Sequence, residues 1–113
     1  MAKENIFPLF LDAPIQNVDG AADASWNGET SRVLVSATGA FDFTLGDATV
    51  PGTLVNILLD AAGGAVTVQV DSAPMGSTSV NDIVLSSQGE GVTLMWTGSE
   101  WFYMGSTEDT VVQ

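Results

Sequence analysis

Cysteine and histidine are both absent from this chain. Without them there is no disulfide framework, no thiolate or His-ligated zinc site, and no Ser-His or Cys-His nucleophile pair. Acid-base chemistry is left to carboxylates. Two carboxylates flanking a cleft can hydrolyse a glycoside when one holds a raised pKa. Here Asp60, Asp71, Asp82, Glu90 and Glu100 all stand beside turns, where such groups are solvated or bonded to nearby amides. The expectation is a protein that is not an enzyme and has no cofactor.

Basic residues are almost as scarce. Lys3 and Arg32 face 14 acids, for a net charge of -12 at pH 7. Nucleic acid is excluded as a partner, because phosphate backbones are neutralised by clustered Lys and Arg. Anionic membrane surfaces are disfavoured for the same reason. Long hydrophobic runs are missing too. The stretch Ile6-Phe7-Pro8-Leu9-Phe10-Leu11 is broken by Pro8 and followed by Asp12, so it is neither a secretory h-region with its cleavage site nor a membrane span of about 20 residues. The chain reads as soluble and made in the cytoplasm.

Metal and phosphate sites find little support. Asn17-Val18-Asp19-Gly20-Ala21-Ala22-Asp23 offers only three oxygen-bearing side chains and lacks the downstream bidentate Glu of a calcium loop. Gly63-Gly64 is followed by no helix and no Lys, so it reads as a hairpin turn, not a phosphate cradle.

What the chain does have is apolar surplus. Of its 113 residues 45% are hydrophobic and 14% charged, against roughly 25% charged in an ordinary soluble domain, and mean hydropathy is +0.27. A single domain of this length buries about two-thirds of its unfolded surface. The surplus therefore points to subunit or partner contacts and to an oligomer.

The twelve glycines and many Val and Thr residues argue for strands over helices. Residues 1–31 read as an N-terminal arm and turn-rich loop, residues 32–106 as a β domain, and residues 107–113 as a tail. Within the arm, Ile6, Phe7, Leu9, Phe10 and Leu11 are candidates for a subunit or partner interface, or for an edge strand that tolerates Pro8. The β domain is a train of short runs cut by turns: Arg32–Ala37, Phe41–Leu45, Leu54–Leu59, Ala65–Val70, Ile83–Leu85, Val92–Trp96 and Trp101–Met104. Asp60-Ala61-Ala62-Gly63-Gly64 is expected to fold Leu54–Leu59 back against Ala65–Val70 as a hairpin. A second, tight hairpin of Val92–Trp96 and Trp101–Met104 carries Trp96, Trp101 and Tyr103. These aromatics are packing residues first; as an exposed platform they would stack on sugar faces. The predicted fold is all-β, a small antiparallel sandwich or barrel of jelly-roll type with an extended N-terminal arm.

Between Pro51 and Ser106 a pattern emerges: Gly52-Thr53-Leu54-Val55-Asn56-Ile57-Leu58-Leu59-Asp60, the Gly-Gly turn into Val66-Thr67-Val68, Val92-Thr93-Leu94-Met95-Trp96, and Gly98-Ser99-Glu100-Trp101-Phe102-Tyr103-Met104-Gly105. This half of the chain resembles the head decoration, or cement, proteins of tailed bacteriophages. The resemblance implies a structural virion protein that is made in the host cytoplasm, assembles as a trimer on the outer capsid surface and braces contacts between major capsid protein subunits. The same hairpin style occurs in tail and fibre domains, which makes a carbohydrate- or receptor-binding module the alternative.

Overall fold

The computed structural model describes residues 15–70 and 82–107, and the backbone of residues 111–112. The described chain is all-β, with strands and no helix. Its strands are β1 (Ile15–Gly20), β2 (Ala24–Ser25), β3 (Arg32–Ala37), β4 (Phe41–Leu45), β5 (Leu54–Ala62), β6 (Val66–Val70), β7 (Asp82–Leu85), β8 (Gly91–Trp96), β9 (Trp101–Ser106) and β10 (Val111–Val112). Alternation of burial along them follows the two-residue period of extended backbone. In β4, Phe41, Phe43 and Leu45 are buried while Asp42 and Thr44 are half-exposed.

The strands divide between two five-stranded sheets, in the order β1-β3-β5-β8-β9 and β10-β7-β6-β4-β2. Through the first six strands the chain changes sheet at every step. β1, β3 and β5 lie parallel in the first sheet, and β2, β4 and β6 lie parallel in the second. Parallel neighbours need a crossover between them, and here the crossover is a strand of the opposite sheet. The result is three coils, each giving one strand to each sheet. The later strands pair antiparallel: β6 with β7, β5 with β8, β8 with β9 and β7 with β10.

Three sequence-based expectations are corrected by this winding. The sheets are mixed rather than antiparallel. The stretch from Asp60 to Gly64 is no hairpin, because β5 runs on to Ala62 between β3 and β8, whereas β6 lies in the other sheet between β4 and β7. Gly63-Gly64 instead turns a corner between sheets, and that corner stacks on the one before it. Gly63 donates its amide to the Ala37 carbonyl at 2.7 Å, just as Thr38 donates to the Gly20 carbonyl at 2.9 Å. Thirdly, residues 15–31 are not all arm and loop. They carry β1 and β2, and they send Val18 and Trp26 into the core.

The inward residues of both sheets form one core, including Val33, Val35, Phe43, Leu45, Ile57, Leu59, Val68, Ile83, Leu85 and Leu94. Each such side chain, fully buried, stabilises the fold by roughly 1.5–3 kcal/mol before entropy is counted. All three tryptophans meet in it. Trp101 packs edge-to-face against Trp26 and Trp96, with ring centroids 5.4 Å away in each case. The indole N–H groups are satisfied by backbone: Trp101 Nε1 donates to the Gly46 carbonyl at 2.9 Å, and Trp26 Nε1 to the Thr30 carbonyl at 2.7 Å.

Candidate assembly surface

The aromatic hairpin directs its residues in two directions. Trp96 faces Trp101 across the β8–β9 pair, and both are buried, Trp101 completely. Tyr103 is half-buried, packed on the core, and its hydroxyl shares a hydrogen bond with Ser106 Oγ. The indole faces are therefore occupied by one another and by Trp26, so Trp96 and Trp101 offer no platform for a sugar ring. Alternation instead turns Phe102 and Met104 outward from β9.

These two belong to a larger apolar surface. On the outer face of the first sheet, β5 presents Leu54, Asn56 and Leu58, β3 presents Arg32 and Leu34, β8 presents Thr93 and Met95, and β1 presents Ile15. Strand register sets them in rows. Leu54, Met95 and Phe102 are consecutive partners across β5, β8 and β9, and Leu34 stands beside Leu58 across β3 and β5. The apolar rows are interrupted by Asn56, whose Nδ2 donates to Thr93 Oγ1 at 2.8 Å. A shallow concavity of about 640 Å³ lies between the strands, bordered by Ile15, Arg32, Leu34, Leu54, Asn56 and Leu58. Gly91 lies at the far side of Leu58, where a Cβ would approach the Ile57 carbonyl oxygen to 2.9 Å. The outer face of the second sheet is more polar, with Asp42 and Thr44 on β4, Thr67 and Gln69 on β6, and Asp82 on β7.

The carboxylates singled out in the sequence are dispersed. Asp60 is exposed near the end of β5, Asp82 opens β7, and Glu100 lies in the β8–β9 turn. Asp71 lies outside the described residues. Glu90 is buried, and its Oε1 accepts from the backbone amides of Ser86 and Ser87, shaping the β7–β8 connection. Its Oε2 has no hydrogen-bond partner among the described residues. Asp23 accepts the Asp42 amide at 3.0 Å, which ties the β1–β2 connection to β4. No three His, Cys, Asp or Glu side chains gather into a metal-binding group among the described residues.

The candidate interface residues Ile6, Phe7, Leu9, Phe10 and Leu11 lie outside the described residues. The outward residues Ile15, Leu54, Leu58, Met95, Phe102 and Met104 were not singled out in the sequence as a surface. A signal for part of it was present: Leu54–Leu59 is apolar at both parities apart from Asn56, as in a strand covered on both faces. No known family model matches the chain, and comparison with curated proteins finds no relative.

Proposed function

We propose that this protein is a structural assembly protein, and specifically a decoration protein that binds the outside of a phage head and stabilises contacts between major capsid protein subunits. The observation that carries the assembly reading is the apolar outer face of the first sheet. Ile15, Leu54, Leu58, Phe102 and Met104 are all exposed on it, while the described carboxylates form no gathered site. Apolar patches of this kind on soluble proteins mark interaction surfaces. The choice of a phage capsid rests on the resemblance in residues 51–106, and the sandwich architecture is supported by the single core that the two sheets share. Attachment at many equivalent capsid positions would make weak individual contacts durable. In this reading the apolar segment Ile6–Leu11 supplies capsid attachment.

The test is co-sedimentation of the purified protein with tailed-phage capsids that lack a decoration layer, followed by heating of the decorated particles. The protein should pellet with the capsids at saturable stoichiometry and raise the temperature at which they release DNA. Protein that stays in the supernatant, or that binds without changing particle stability, defeats the decoration reading.

A further inference from the structure

We infer that β9, the edge of the first sheet, receives a sixth strand from a neighbouring copy of this chain, and that the donated strand is the apolar segment Ile6–Leu11. The inference rests on the assembly reading above and moves that segment from the capsid to a second copy. A contact in which each copy gives a strand to the next is heterologous and builds a ring when it closes. Such a ring agrees with the three copies of the decoration reading.

β9 pairs with β8 and has no second neighbour among the described residues. Its open backbone groups can be named. Opposite Trp101 stands Trp96, whose own N–H and carbonyl turn the other way, to the Thr53 carbonyl at 2.8 Å and the Gly52 amide at 2.7 Å. Trp101 is thus in a non-hydrogen-bonded pair, and its N–H and carbonyl point away from β8 into the open edge. The two-residue period gives Tyr103 the same direction. Two donors and two acceptors stand open, on a strand with none of the Lys, Pro or inward charge that blunt an edge. Its one irregularity, the extra residue Met104, comes after them.

Of the described edges, β9 is the one that Ile6–Leu11 matches. The edges of the second sheet, β2 and β10, are two residues long, whereas β1 and β9 each have six, as the segment does. Ile6–Leu11 is apolar at both parities, so both of its faces need apolar neighbours. β9 offers Trp101 and Tyr103 on the inner side and Phe102 and Met104 on the outer, where the row Leu54-Met95-Phe102 would run on into the new strand. β1 offers Asn17 and Asp19 outside, and its Gln16 side chain is already bonded to Ser25 and Asn27. Pro8 suits a strand paired on one side only. With its nitrogen turned outward, Phe7, Leu9 and Leu11 turn their backbone groups to β9, and Leu9 is one of the two that meet Trp101 and Tyr103 in any register that uses both. The copy's own segment is too short a tether. Register places Ile15 in one row with Arg32, Asn56, Thr93 and Gly105, and from β1 to a strand beyond β9 is five spacings, about 24 Å. The six residues from Leu9 to Ile15 span at most about 22 Å when straight, and Trp101 and Tyr103 lie off that row. A second copy has no such limit.

Sedimentation velocity over a wide dilution series and thiol crosslinking test this on the full chain, with circular dichroism melts to show that each variant is folded. Wild type should sediment as a closed oligomer. Leu9→Pro removes an N–H that the donated strand needs and should weaken association roughly tenfold or more, whereas Leu9→Ala, which keeps the N–H, should be milder. The chain has no cysteine, so single thiols can be placed at will and joined by a short bis-maleimide linker. In mixtures of two single variants, Phe10→Cys should link to Phe102→Cys on a different chain, and not to Thr67→Cys on the outer face of the second sheet. A wild-type monomer, a folded Leu9→Pro that associates normally, a link within one chain in the Phe10→Cys/Phe102→Cys double variant, or preferential linking to Asn17→Cys on β1 overturns the proposal. If Leu9→Pro keeps its oligomer and loses capsid attachment, the segment belongs to the capsid, and the decoration reading survives without the donation. An oligomer broken by Leu9→Pro in a protein that ignores capsids leaves the donation standing and removes the decoration reading.

Discussion

A Cβ added at Gly64 would lie inside the backbone of Gly39 and Ala40, and one added at Gly63 would come within 2.5 Å of the Ala37 carbonyl oxygen. These obstacles are backbone, fixed by the corner hydrogen bonds, so neither can move aside as a side-chain tip would. Gly64→Ala is expected to cost about 3 kcal/mol or more of unfolding free energy, on the scale of severe overpacking, read as a lowered urea midpoint with unchanged slope. An effect under about 1 kcal/mol would show that the corners are not in contact. In the sequence, Gly63-Gly64 marks a turn correctly but hides its reason: the pair serves close approach between successive corners, and nothing local distinguishes that need from a hairpin's. Trp101 is a similar case. Its alternation with Phe102 was legible, whereas the choice of which face is buried depended on Trp26, 75 positions away in sequence and directly after β2 of the other sheet.

At the scale of strands, the runs from Arg32 onward were legible because their alternation is regular and their turns are rich in glycine. Their partners were not. A period of two states that a residue faces in or out, but β5 and β6 satisfy that pattern equally well in one sheet or in two. β1 was hidden because Asn17 and Asp19 flank its one buried valine, Val18, so it carries little apolar signal. Its place is fixed by other bonds: Gln16 donates to the Ser25 carbonyl at 2.8 Å and accepts the Asn27 amide at 2.9 Å, linking the start of the first coil to its end. Removing residues 1–12 should therefore spare the cooperative thermal transition, and removing residues 1–20 should abolish or sharply lower it by exposing the β3 edge and the core beneath Val18. Equal losses from the two truncations would assign the segment before β1 to the folded core.

For the whole molecule, composition announced the apolar surplus without saying where it would go, since its location depends on which sheet each strand joins. Apart from Asn56, both faces of Leu54–Leu59 are apolar, and only the winding shows that one of them covers the core and the other is left outside. The same winding has a consequence for how the protein opens. In a fold made of two separately formed sheets, each sheet could fray from its own edge. Here β1 continues into β2, and β3 into β4, through corners bonded to the next corner, so loosening one sheet at its edge draws on the other. The local unit of unfolding is then a coil that crosses both sheets. Native-state hydrogen exchange should show the amides of β1 and β2 opening together with one free energy, those of β3 and β4 together with a higher one, although the paired strands share no sheet. Exchange grouped by sheet would place the cooperative boundary between the layers. Grouped by coil, it would mean that the two faces of the protein, the apolar one and the polar one, lose protection in step from the β1–β2 end.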